Sequence, residues 1–308
     1  MKIRTIQISD DAGLQAAIDR LCGRDTDDAA ERAIAEKTEA TKAIVEAVRA
    51  DGDAALVEFS RKFDRVELDP ADFEIPQEEL DAAVEQVDPA LLTIIRRAHD
   101  NIRTYHAKNL RQSWREQSED GTILGQRITP IESAGVYVPG GKAFYPSSVL
   151  MNIVPARVAG VKDIIMVSPP SYNGSIHPVV LAAARIAGAT RVFRIGGAQS
   201  IAALAYGTAT IPAVLKITGP GNTFVTVAKR LVRHICDIDS EAGPSEVVVV
   251  ADGAIDPRYA AAEMLAQAEH DEEAQSIVIT TSVEVAVAVQ KAVEEQIATL
   301  PREDIMRA

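Results

Sequence analysis

Gly135-Val-Tyr-Val-Pro-Gly-Gly141 decides the reading of the fold. A short apolar strand runs into a glycine-rich turn, and a helical pattern follows. The same unit recurs downstream, with strands expected at Asp163-Ile-Ile-Met-Val167, Arg191-Val-Phe-Arg-Ile195 and Ala213-Val-Leu-Lys-Ile217. Strand, turn and helix in alternation are the signature of an α/β domain. Strands that are almost continuously apolar belong in a parallel sheet buried on both faces. A further unit starts at Glu246-Val-Val-Val-Val-Ala251 and passes through an alanine-rich helix that ends at His270. It continues with Ser276-Ile-Val-Ile-Thr280 and a helix from Val283 to Thr299. The expected fold is α/β: two Rossmann-like parallel-sheet domains, one inserted in the other, with an N-terminal helical lead-in. The inserted domain is expected over 135–245, and the outer one over 1–134 plus 246–308, with a sheet short of strands.

Upstream of this stretch, apolar residues at three-and-four spacing (Leu14, Ala17, Ile18, Leu21, then Ile44, Val45, Val48) predict helices from Asp10 to about Arg65, broken at Gly52. Phe73-Glu-Ile75 is short and alternating. Pro76 opens a helix with Glu78 and Glu79 in its first turn, and Asp88 is placed to cap the next. Asp120-Gly121 marks a hairpin between Trp114 and Ile128.

The chain has 308 residues, 47% of them hydrophobic, enough for sizeable cores. Its formal net charge of −13, with Lys and Arg interspersed among acids, excludes a nucleic-acid binder, which needs a basic patch. No run approaches the roughly 18 apolar residues of a membrane span. The two cysteines, Cys22 and Cys236, form neither a Cys-x-x-Cys pair nor a zinc-ribbon spacing, so a reducing cytoplasm is the expected compartment.

Three turns sit between a strand and a helix: Pro139-Gly140-Gly141, Gly196-Gly-Ala-Gln199 and Gly219-Pro-Gly-Asn222. None is a Gly-x-Gly-x-x-Gly or Walker motif, and each alone is ordinary architecture. Together they put Tyr137, Gln199 and Asn222 at the carboxyl edge of one sheet, the usual ligand crevice of an open α/β domain, where a dinucleotide fits. Ser245, in the turn Ala242-Gly-Pro-Ser-Glu246, is either a substrate contact or a turn serine that starts a strand. Gln267 and His270 lie three apart, so on a helix they share a face. An amide oxygen and an imidazole can then supply half of a divalent-metal site. Alternatively, His270 is a helix C-terminal cap.

In this order, Gly135-Val-Tyr-Val-Pro-Gly-Gly141, Tyr145-Pro-Ser-Ser-Val-Leu-Met151, Gly196-Gly-Ala-Gln199, Gly219-Pro-Gly-Asn222, Ala242-Gly-Pro-Ser-Glu246 and Gln267-Ala-Glu-His270 resemble the histidinol dehydrogenase family. The resemblance implies a homodimeric, zinc-dependent enzyme that oxidises L-histidinol through L-histidinal to L-histidine with NAD, the last step of histidine biosynthesis. It implies Tyr137, Gln199 and Asn222 as NAD contacts and Ser245 as a substrate contact. Gln267 and His270 are implied as zinc ligands that also touch substrate. The family's remaining zinc ligands, an Asp and a His, and its catalytic Glu-His pair are expected beyond Ala308. The chain is thus expected to be a truncated form, without a catalytic residue of its own and inactive alone. Two rival readings are a related zinc- and NAD-dependent alcohol dehydrogenase for another small polar alcohol and a non-catalytic interaction subunit. An aldehyde-dehydrogenase reading would need a cysteine nucleophile, and neither cysteine has an activating setting.

Overall fold

The computed structural model describes residues 6–21, 28–140, 144–241, 245–272 and 274–307. Gly141, Ala242-Gly-Pro244 and Cys22 lie outside the described residues. Contacts divide the chain into two compact units, one of Glu36–Glu241 and one of Met1–Ala35 with Ala242–Ala308. The expected grouping of 1–134 with 246–308 is corrected on this point, because residues 36–134 join the sheet-bearing unit. The reason is packing: the helices between 77 and 107 lay Leu80, Ala83 and Ile95 on that sheet's core.

The lead-in consists of α1 (Asp11–Leu21), α2 (Asp28–Asp51) and α3 (Asp53–Phe59), and α3 continues into a π-helical turn, Ser60–Asp64. Gly52 breaks α2 from α3 with φ 56°. Arg65 ends the π turn in the left-handed region, φ 58° and ψ 33°. Next come α4 (Gln77–Gln86) and α5 (Pro89–Ala107). Asp88 caps α5 as expected, its Oδ1 accepting from Ala90 N at 2.6 Å. Phe73-Glu-Ile75 makes only an isolated antiparallel bridge, Glu74 to Phe193. The hairpin of β1 (Trp114–Gln117) and β2 (Ile123–Gln126) turns at Asp120-Gly121, where Thr122 N donates to Asp120 Oδ1 at 2.9 Å.

The α/β run then reads β3 (Ser133–Tyr137), α6 (Pro146–Val158), β4 (Asp163–Val167), α7 (Pro178–Ala187), β5 (Arg191–Phe193), α8 (Gly197–Tyr206), β6 (Lys216–Thr218), α9 (Thr223–Val232) and β7 (Asp237–Ile238). Its five strands are all parallel, in the order β5-β4-β3-β6-β7. The strand expected from Ala213 begins only at Lys216, because Val214 N donates to Leu204 O at 2.9 Å, tying that segment to α8. β7 carries no sequence signal, being only two residues long.

Side chains alternate across the sheet as the pleat requires. Ala134, Val136, Ile164, Met166 and Val192 face one core, filled by α4, α5, α6 and α7. Tyr137, Ile165, Val167 and Phe193 face the other, filled by the C-terminal half of α2 with α3, α8 and α9. The chain starts at the middle strand β3, moves out to β5, then returns to β6 on the other side. The strand order therefore reverses between β3 and β6, the place where open α/β sheets ordinarily take a ligand at the carboxyl ends of the strands.

The smaller unit holds β8 (Glu246–Val250), α10 (Pro257–Ala268), β9 (Gln275–Ile279), α11 (Val283–Ile297) and α12 (Glu303–Arg307). β8 and β9 form a two-stranded parallel sheet. One face packs through Val249 and Val278 on Ala261, Met264, Leu265, Val289 and Val293. The other face leaves Val248, Val250 and Ile279 at 54%, 76% and 53% exposure. Among the described residues no helix is long and apolar enough to cross a membrane.

Candidate functional site

Two groups of candidate residues emerge, one in each unit. In the larger unit, Tyr137 ends β3 and is 4% exposed. Burial raises its hydroxyl to a pKa of about 12, the nearby charge of Asp64 adds to the rise, and a hydrogen bond from the Gly197 backbone opposes it. A tyrosine so placed stays neutral and holds a fixed orientation. Gly197 opens α8 at φ 64°, and a Cβ there would lie 2.6 Å from Gln199 Oε1. Gln199, 1% exposed, is folded beneath this turn rather than projecting from it. Tyr137 and Gln199 thus converge on Gly197.

Asn222 stands across the strand reversal, exposed at the start of α9. Its Oδ1 accepts from Val225 N at 3.1 Å, which makes it the helix N-cap. The turn leading to it is pressed against β3. Gly219 has φ 114°, and a Cβ there would sit 2.1 Å from Tyr137 O, so only glycine fits. Two residues that carried no sequence signal hold this turn: Asp239 Oδ2 accepts from Gly219 N at 2.8 Å, and Lys229 Nζ donates to Gly219 O at 3.0 Å. Lys229 and Asp239 also pair with each other, with Lys229 buried. An amphipathic helix pattern does not announce a lysine turned inward, and the two-residue β7 before Asp239 leaves no pattern of its own, which is why both were missed.

Asp64 was missed as well. It lies at the end of the π-helical turn, and burial raises its carboxyl from the usual 3.8 to about 6. Its Oδ2 is covered and has no hydrogen-bond partner.

In the smaller unit, Ser245 is exposed just before β8, and its carbonyl accepts from Gln275 N at 3.4 Å at the start of β9. Gln267 is half-buried in the last turn of α10. His270 is exposed in the turn beyond, and its N–H donates to Gln267 O at 3.2 Å. The expected shared helix face is therefore corrected to a helix end plus one tight turn, since α10 stops at Ala268. Arg302 fixes that turn by donating to Glu269 O at 3.2 Å. By the parallel topology, Ser245, Gln267 and His270 all lie toward the amino edge of their sheet. Among the described residues no group of three or more His, Cys, Asp or Glu gathers into a metal cluster.

Cys236 and His177 have structural settings. Cys236 is buried, its thiol donates to Val214 O at 3.1 Å, and burial pushes its pKa up to about 11, so it is no nucleophile. His177 caps α7 through Nδ1, which accepts from Val179 N at 3.2 Å, and its ring stacks on Phe144.

The family model described as histidinol dehydrogenase matches residues 28–308. The histidinol dehydrogenase of a Synechococcus species is 49% identical over 291 residues, which cover 94% of this chain and 66% of that protein. That of Bradyrhizobium diazoefficiens is 53% identical over 281 residues, covering 91% and 65%. The crystal structure of histidinol dehydrogenase from Elizabethkingia anophelis superposes with a TM-score of 0.79 at 36% identity, over 87% of this chain and 62% of that one. The chain thus spans about two thirds of the length of the relatives it matches.

Proposed function

The chain belongs to the histidinol dehydrogenase family, and from that premise we propose that it carries the NAD site and part of the zinc site of an enzyme oxidising L-histidinol through L-histidinal to L-histidine, the last step of histidine biosynthesis. The observation that carries the NAD reading is the reversal of strand order between β3 and β6, where Gly219 lets the backbone close against Tyr137. A dinucleotide belongs at such a reversal of strand order. Tyr137 and the Gly197 turn would form one wall, Asn222 the other, and Gln199 would support the first from below. The starts of α8 and α9 present backbone N–H groups suited to a pyrophosphate.

Bound there, NAD supplies the hydride acceptor, and zinc supplies a Lewis acid. The chain's own residues bind and orient. Gln267 Oε1 and a ring nitrogen of His270 are two donors of types that zinc accepts, and further donors must complete the shell. Ser245, at the same edge as these two, offers a hydroxyl to the substrate. The resemblance extends the proposal to a homodimer working in the cytoplasm; sedimentation of the purified protein checks the dimer.

Titration calorimetry tests the cofactor reading. NAD should bind the purified protein, and Gln199→Ala together with Asn222→Ala should weaken binding by at least about 10-fold, the loss of one or two polar contacts. Unchanged affinity in that double variant would remove the assignment. For the metal, His270→Ala should lower zinc content. Zinc content unaffected by that change would return His270 to a helix-end role.

A further inference from the structure

Asp64 stands near Tyr137 with a carboxylate oxygen that the fold leaves without a partner. Oδ2 is covered from solvent yet accepts no hydrogen bond, while the charge of the group is felt at the Tyr137 hydroxyl. A covered acceptor gives up its bonds to water and here gains none in exchange. The backbone that holds it is unusual too. Ser60–Asp64 is π-helical, and Arg65 sits at φ 58°, a region that residues with a side chain rarely enter. Phe59 anchors the turn in the core and stacks on Phe63 with ring centroids 5.7 Å apart. Strained, unsatisfied groups of this kind concentrate where ligands bind.

The chemistry narrows what such a ligand group can be. An ionised carboxylate only accepts hydrogen bonds, so it needs a donor. It repels phosphate, and the pyrophosphate already has the helix starts of α8 and α9. The groups flanking a pyrophosphate in a dinucleotide are riboses, whose hydroxyls are neutral donors. Domains of this topology commonly hold a ribose with an acid at the end of the strand beside the first. Here that place, after β4, is taken by Ser168, which is 2% exposed. An acid delivered from the helical lead-in can serve instead.

We propose that Asp64 is a cofactor-contact residue whose carboxylate accepts a hydrogen bond from a ribose hydroxyl of NAD bound at the reversal between β3 and β6. The inference rests on the NAD reading given above and adds a contact to it.

Calorimetry with NAD on the purified protein, Asp64→Asn and Asp64→Ala tests it, with thermal melts confirming that each variant is folded. Asp64→Ala should weaken NAD about 10-fold or more, as loss of a hydrogen bond to a charged acceptor does, and Asp64→Asn less. The melting temperature of Asp64→Asn should equal or exceed that of the parent, because an unpaired covered charge is removed. Analogues of NAD lacking single ribose hydroxyls supply the signature that a purely structural role would not produce. One of them should bind the parent about 10-fold more weakly than NAD, and Asp64→Ala should no longer distinguish the two. NAD affinity within two-fold of the parent in Asp64→Ala overturns the inference, as does undiminished discrimination among the analogues. If NAD binds the parent and the Gln199 and Asn222 variants weaken it while Asp64→Ala does not, this inference alone fails. If NAD does not bind the folded parent at all, the cofactor reading fails and this contact with it.

Discussion

Two sheets in this chain are assembled from the same strand-helix unit and end in opposite conditions. The five-stranded sheet has helices on both faces, and its middle strands are buried along most of their length. The two-stranded sheet has helices on one face, and its other face exposes alternate residues of β8. The candidate residues follow suit. Tyr137 and Gln199 are buried at the carboxyl edge of the first sheet, both beside the Gly197 turn. Ser245 and His270 are exposed at the amino edge of the second, one just before β8 and the other in the turn beyond α10. A doubly covered sheet can hold a preformed crevice, whereas a singly covered one presents donors that still need company. The cofactor half of the proposed site is accordingly the better defined half.

The largest effect should come from the doubly covered sheet. Phe193 is fully buried at the end of β5 and lies under the Arg191 guanidinium at 4.8 Å. Phe193→Ala should cost about 3–5 kcal/mol in urea unfolding, the usual range for emptying such a volume. A cost below about 1 kcal/mol would show that the core is looser than the contrast demands.

Lys229→Met comes next, at about 3 kcal/mol, because it leaves Asp239 and the Gly219 carbonyl without their buried partner. Since that pair clamps the turn before Asn222, NAD affinity should fall together with stability. Stability lost with affinity intact would separate the clamp from the cofactor site.

How far each half was legible follows from the kind of signal each residue leaves. The parallel sheet was readable because Ile164 to Val167 is apolar without interruption and Gly140, Gly196 and Gly219 punctuate strand ends. Those turns are what put Tyr137 and Asn222 among the candidates. Lys229 and Asp64 were not among them, because a charge inside a helix pattern reads as a solvated face until tertiary contacts turn it inward, and Asp239 was not, because the two-residue strand before it leaves no pattern. The end of α10 was read two residues long for a similar reason: the turn at Glu269 and His270 keeps helix-like spacing through a three-residue hydrogen bond.

The pH dependence of stability should betray Asp64. Its folded pKa of about 6 lies above the ordinary 3.8, so the folded state holds its proton more tightly than the unfolded chain does. The stabilisation this gives is complete below about pH 4 and is lost as pH rises through 6. Asp64→Asn should therefore melt like the parent at pH 4 and gain roughly 1–2 kcal/mol over it at pH 8, after allowance for the group's partial exposure. An equal difference between the two proteins at both pH values would place the carboxyl in water.

The smallest effect is expected on the open face of the two-stranded sheet, and it tests the contrast most directly. Val250, at the end of β8, is 76% exposed, and Val248 and Ile279 continue the same face. Threonine has the shape of valine and a comparable preference for strands, so Val250→Thr changes little besides one methyl for a hydroxyl. In contact with water that exchange should shift unfolding by no more than about 0.5 kcal/mol. Were the face covered in solution, the hydroxyl would lose its water without gaining a partner, and the cost would rise to about 1–3 kcal/mol. Urea unfolding of Val250→Thr at low and high protein concentration separates the cases. A near-zero change at both keeps the asymmetry between the sheets, while a cost that grows with concentration would mean that a second copy of the chain supplies the missing cover.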